Sequence, residues 1–361
     1  MNIEKLVKLF AVVASAGMLV ACGGGGGDSS PAPVGVTPPA AAPTPAPAPA
    51  PTPAAPAPSP VPAPTAVATL PAGTVPALTA ADCPSVLAAT ALTPTFVGAD
   101  AKAAAAVLAA VDLVHGSSEL SRLPAYFTWW LRTAGQAVDE LSLGTAIHET
   151  NHKLDFALRY VCNSDGLARY FVDGQVHVTG LMTGTTSNYS ISAESYPAAL
   201  RAPRALRYDL YITGSASSNG NDFSVLLDEL NAYSGGAAFE VGLLSNPTYS
   251  YLARSGDFNA GGAADFMLFL QAYLKSARLN HPTSYASIQS SGQTLAYVQF
   301  AWSRAERILS AMYPYSVAGG GTQVVPVEVI TQIYSATFLS ELDLLGITHK
   351  TAADWSTTYL R

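Results

Sequence analysis

Charge is scarce in this chain. Among 361 residues, lysine and arginine number 18 and aspartate and glutamate 25, a formal net charge of −7. There is no basic run and no basic–aromatic stripe, so the chain lacks the electrostatic footprint of a nucleic-acid binder. After the first 21 residues no segment has the 18 or more apolar residues that a membrane-spanning helix requires. No internal repeat occurs, cysteines number three and histidines six.

Two of those few histidines nevertheless stand four residues apart, in His148-Glu149-Thr150-Asn151-His152. With ten glutamates to draw on, chance predicts roughly 0.003 such H-E-x-x-H pentads in a chain of this composition. On a helix, residues four apart sit about 40° apart around the axis, so His148 and His152 share one face. Two imidazoles so placed can hold one Zn²⁺. Glu149 is turned about 60° from His152 and can reach a water on the metal without ligating the ion. A metal that acidifies water beside a carboxylate that takes its proton is the arrangement a hydrolase needs. The competing reading is a solvent-facing polar stripe, because Asp155 and Arg159 fall on the same side of the helix and would form an i,i+4 pair. Asp155 could instead orient a ligand imidazole.

Two histidines are too few for zinc, so a third ligand is expected. The best candidate is Glu229, in Phe223-Ser-Val-Leu-Leu-Asp-Glu-Leu-Asn-Ala-Tyr233. Around that helix Glu229 lies between Val225 and Tyr233, inside the apolar face, whereas Asp228 falls with Ser224 and Asn231 on the polar one. A carboxylate aimed into a core is costly unless it is paired or bound to metal. Glu240 is the reserve. For stabilising the developing anion of an acyl-transfer reaction, the candidates are Tyr233, His177, His281 and Tyr160.

The N-terminal quarter is of another kind. Lys5 and Lys8 precede an apolar run from Leu9 to Ala21, which ends in Leu19-Val20-Ala21-Cys22. The run is short for a membrane span. It resembles a bacterial lipoprotein signal with its lipobox. That resemblance implies cleavage before Cys22, acylation of the Cys22 thiol, and, with Gly23 following, anchoring in the outer membrane; an ordinary secretory signal is the alternative. A glycine run and then a Pro/Ala tract fill residues 22–77, a composition that cannot bury a core and favours extended polyproline II. Once Cys22 is acylated, Cys83 and Cys162 remain as an even pair in an oxidising compartment. They are expected to form a disulfide, with two buried thiols as the alternative.

Residues 78–361 are enough for one sizeable core. Helical periodicity marks Ala101–His115, Leu120–Thr133, Leu141–Tyr160, Phe223–Tyr233, Ala263–Leu279, Gly292–Met312 and Val327–Leu345. Asp173-Gly174 between two β-prone runs, Arg169 to Val178, predicts a hairpin. Arg207–Thr213 alternates like a third strand, and Thr185–Ser195 and Gly214–Asp222 read as loops. The expected class is α+β, mainly helical, with a small antiparallel sheet after the metal helix.

The pentad and the Glu-Leu-Asn-Ala-Tyr run resemble the two metal-ligand motifs of bacterial gluzincin-like zinc metallopeptidases. The resemblance covers about 25 residues. It implies a zincin-like domain with His148, His152 and Glu229 as zinc ligands and Glu149 as general base. It also implies a substrate of peptide, protein or peptidoglycan. In most zincins the sheet precedes the metal helix, whereas here the predicted strands follow it. The alternative class is a non-enzymatic envelope or adhesion lipoprotein whose metal site is structural or degenerate.

Overall fold

The computed structural model describes residues 76–88, 114–132, 140–182, 184–213, 222–244, 259–318 and 327–359. The signal, Cys22, the Pro/Ala tract, all but the end of the expected helix Ala101–His115 and nearly all of the expected loop Gly214–Asp222 lie outside them.

The described residues are mainly helical around one two-stranded antiparallel sheet. The longer helices are α1 (Val114–Arg122), α2 (Pro124–Arg132), α3 (Glu140–Phe156), α4 (Phe223–Leu244), α5 (Asn259–Asn280), α6 (Pro282–Gln289), α7 (Gly292–Ala318), α8 (Val327–Ile333), α9 (Ala336–Asp343) and α10 (Ala352–Tyr359). The helix expected over Leu120–Thr133 is interrupted at Leu123. Pro124 has no N–H to continue the ladder but suits the first turn of a new helix. The helix expected over Val327–Leu345 breaks at Ser335, whose extended backbone (φ −71°, ψ 146°) starts α9.

Strands β1 (Leu167–Val172) and β2 (Gln175–Met182) pair in the register Tyr170 to His177 and Phe171 to Val176. At the tip Asp173 and Gly174 both take positive φ, 51° and 83°, as the tight turns matching strand twist require. The expected third strand is a correction. Ala205–Arg207 is a helical turn that widens into a π-helical stretch over Tyr208–Thr213. Tyr208, Tyr211 and Ile212 are the buried residues there, a spacing of three and four. The tyrosines and isoleucine that suggested alternation therefore also satisfy a helical face, and packing selects the helix. The loop expected over Thr185–Ser195 holds a 3₁₀ turn, Tyr189–Glu194.

Helix α4 is the axle of the fold. It packs against α3 on one side, α5 on another and α7 on a third, while α7 also covers β2. That explains why 18 of its 22 residues are buried. At its far end α3 widens into a π turn, Ala157–Val161, closed by the Cys162 N–H on the Ala157 carbonyl at 2.9 Å. Cys162 is bonded there to Cys83, so the expected disulfide ties the short turn Cys83–Val86 to the end of α3. No helix of the described residues is long and apolar enough to cross a membrane.

Candidate metal centre

Where α3 crosses α4, the stripe of α3 that could have faced solvent faces α4 instead. His148, His152, Asp155 and Arg159 are all buried. His148 and His152 project from α3 and Glu229 from α4, and one ligand atom from each lies within 4.8 Å of the others. The two Nε2 atoms are 3.2 Å apart, and His152 Nε2 is 3.3 Å from Glu229 Oε2. A tetrahedral ion bound at about 2.0–2.1 Å separates neighbouring ligand atoms by about 3.3 Å. Nitrogen, nitrogen and carboxylate oxygen at these spacings fit a metal ion, and the cluster can hold one.

The other face of His152 fixes which nitrogen is presented. His152 Nδ1 donates to Asp228 Oδ2 at 2.8 Å, leaving Nε2 toward Glu229 and His148. This is the carboxylate–histidine pairing that orients metal-ligating imidazoles. Sequence reasoning offered Asp155 for this task, an expectation corrected here, and placed Asp228 with Ser224 and Asn231 on the polar face of the helix, a face the fold buries. Asp228 is buried, and Arg159 Nη2 lies 3.6 Å from its other oxygen. A usable signal was present: α4 carries Asp228, Glu229 and Glu240 with no lysine or arginine of its own, so these acids must find cations or a metal on other elements.

Asp155 serves the hairpin. Its Oδ1 accepts the Phe171 N–H at 2.5 Å, and its Oδ2 accepts from Asn231 Nδ2 at 3.1 Å. Asn151 and Asn231 both donate to the Phe171 carbonyl at 3.0 Å, so β1 is fastened to both ligand helices at one residue.

Electrostatics distinguish the members of the cluster. Burial, reinforced by the nearby His152, pushes His148 well below the ordinary imidazole value, which keeps it neutral as a ligand must be. Burial works in the same direction on His152, but the carboxylates of Glu229 and Asp228 overcome it and raise its pKa. Asp228 is likewise opposed by burial, yet His152 and Arg159 hold it at about 2. Glu149 is pushed up to about 8, chiefly by burial; His152 opposes the rise and the charges of Glu229 and Asp228 add to it. Glu149 is outside the converging ligand set while sharing its field.

Of the four candidates for stabilising negative charge, Tyr233 touches the cluster: its ring meets the His148 ring edge-on at 4.3 Å. Tyr160 is exposed and leans on Phe156, His177 stacks on Phe300 at 4.4 Å, and His281 pairs with Glu194 at 2.9 Å. Glu240, the reserve ligand, is spent elsewhere. It accepts from Asn259 Nδ2 at 2.7 Å and from the first backbone amides of α5, about three turns along α4 from Glu229. Sequence reasoning missed Tyr211, whose hydroxyl meets that of Tyr233 at 3.0 Å, because the segment read as a strand.

Comparison with protein-family models, curated proteins and solved structures finds no match for this chain.

Proposed function

We propose that the protein is a zinc-dependent peptidase of the bacterial cell envelope, tethered to the outer membrane by a lipid on Cys22 and acting on peptide bonds of protein or peptidoglycan. The tether rests on the lipobox-like Leu19-Val20-Ala21-Cys22 and the Pro/Ala tract behind it. His148, His152 and Glu229 would hold the zinc, whose presence supplies Lewis acidity and a water acidic enough to ionise near neutral pH. Asp228 fixes the tautomer and direction of His152. Glu149 takes up the proton of the attacking water and returns it to the leaving amine. Burial raises the Glu149 carboxyl, and a zinc ion held beside it would draw it back down toward neutrality, where it can take up a proton.

One observation carries the reading: Glu149 shares the field of the ligand cluster without belonging to it. A purely structural metal site has no use for such a base. A different observation favours a structural site in a non-enzymatic envelope lipoprotein, namely that Glu149 and all three ligands are less than a tenth exposed. Glu149→Gln separates the two. It preserves side-chain volume, so zinc content should stay at about one per chain, while activity on a peptide cleaved by the wild type should fall by at least about 10²–10⁴-fold. Equal cleavage by both proteins removes Glu149 as the base. Inactivity of both on broad peptide and peptidoglycan panels leaves the structural-site reading.

A further inference from the structure

The chain that precedes the folded part enters it beside a row of aromatic rings. Leu78 packs against the core, and Asp82 and Cys83 follow at the entry turn. The Cys83–Cys162 bridge holds the two Cα atoms 5.4 Å apart, and Cys162 closes the π turn two residues past Tyr160. The Asp82 charge acts on the Lys153 ammonium. Lys153 in turn sits over the Tyr126 ring at 5.0 Å and the Phe156 ring at 5.8 Å. The Pro/Ala tract is thereby delivered to one edge of α3.

From Lys153 the row continues both ways. Tyr126 stacks on Trp129 at 5.8 Å, and Phe156 meets Tyr160 at 5.0 Å. Lys153, Phe156 and Tyr160 follow one another at spacings of three and four, so they share a stripe of the metal helix and its π turn. Tyr160 is 41% exposed, and Trp129 and Phe156 are half-buried, so ring surface faces outward. Polyproline II segments dock on surfaces of this kind, their proline rings packing against aromatic ones. Their carbonyls, free of internal hydrogen bonds, accept from donors nearby. The Lys153 ammonium is such a donor in the middle of the row.

The tract has the matching chemistry. From Pro43 to Pro64, 11 of 22 residues are proline, and no charged residue occurs from Ser29 to Ala81. What it offers a partner is therefore proline rings and backbone carbonyls. We propose that residues 43–64 dock in cis, as polyproline II, on the row from Trp129 to Tyr160, making the tract a held arm rather than a free tether. Residues 65–75, extended at about 3.1 Å each, reach about 34 Å, ample to turn back from the entry to a row that starts beside it. A tethered segment acts at an effective concentration in the millimolar range, so a weak contact suffices. Docking needs neither metal nor catalysis and stands apart from the peptidase reading. With a lipid on Cys22, only residues 22–42 would then separate the domain from the membrane.

The test uses the chain from residue 22 onward with Cys22→Ser, so that no lipid is attached, and a second form in which residues 31–75 are a Gly/Ser sequence of equal length. A synthetic peptide of residues 43–64 is titrated onto both and followed by tryptophan fluorescence. It should bind the Gly/Ser form with a Kd of about 10⁻⁴ M. The native tract, competing in cis at about 1 mM, should raise that Kd about tenfold. Tyr160→Ala should weaken binding to the Gly/Ser form about 3–10-fold, and Trp129→Ala added to it should abolish binding. In small-angle scattering the native chain should lengthen by about 30 Å or more when Tyr160→Ala/Trp129→Ala frees the tract. Should that double variant not fold, Tyr160→Ala, at an exposed position, and the peptide titration decide. No peptide binding to the Gly/Ser form, binding that Tyr160→Ala leaves unchanged, or equal dimensions of native and variant chains would overturn the proposal. Dimers of the native chain that Tyr160→Ala dissolves would give the row to a second copy, and vesicle binding that Tyr160→Ala abolishes would give it to a lipid surface; either result also overturns it.

Discussion

Asp228 shows how a side chain outside the candidate ligand set could decide whether an ion is held. Its contact with His152 Nδ1 at 2.8 Å sets the imidazole's tautomer and its rotation about Cβ. Such partners are typically worth 10–100-fold in metal affinity. Asp228→Ala should therefore weaken zinc binding by about that factor, measured by competition with a chromophoric chelator, and unchanged affinity would discount the pairing. A second buried carboxyl speaks to pH. Glu119 is raised from 4.5 to about 8, mainly by burial, with the Asp173 charge adding and Arg304 opposing. A carboxyl whose folded pKa exceeds its unfolded one stabilises the fold below the lower value and loses that contribution as pH climbs through the higher. The melting temperature should accordingly fall between pH 5 and 8, and Glu119→Gln should flatten the fall. Parallel curves for the two proteins would exclude Glu119 as the cause.

Elements differ in how plainly their residues declare them. The hairpin was legible because Asp173-Gly174 is a local signal that no tertiary contact needs to complete. The convergence of His148 and His152 on one face of α3 was legible because residues four apart on a helix share a face. The segment Arg207–Thr213 was not legible, since its tyrosines and isoleucine fit either period and only burial against α5 and α4 chooses between them. Asp228 took the imidazole-orienting role offered to Asp155 for a related reason. A helical wheel separates apolar from polar residues, but when both faces are buried it cannot say which polar residue meets which partner. The closeness of α5 to α4 was equally hidden. It depends on Gly262, where a methyl group would overlap the Tyr233 ring. Gly262→Ala should cost about 1–3 kcal/mol in urea unfolding, as overpacking does. Gly292→Ala, at a position with open space around its would-be Cβ, should stay within about 0.5 kcal/mol of the wild type.

For the whole molecule, the Cys83–Cys162 bridge closes a loop across 79 positions and connects the first described turn to the end of the metal helix. Loops of this size give disulfides a stabilising effect of about 2–5 kcal/mol. Cys83→Ser/Cys162→Ser should lose stability in that range, read as a shift of the denaturation midpoint. Retained stability after reduction would show that packing against the π turn suffices alone. The same double substitution should leave the His148–Glu229 cluster able to bind zinc, since neither cysteine belongs to it.

The depth of that cluster has a consequence in time as well as in affinity. With His148, His152 and Glu229 each less than a tenth exposed where two packed helices cross, an ion bound there would leave more slowly than from an open site. Its release would quicken wherever the crossing opens locally. A chain loaded as it folds would carry its ion through surroundings poor in zinc, with the metal's residence set by the breathing of α3 against α4.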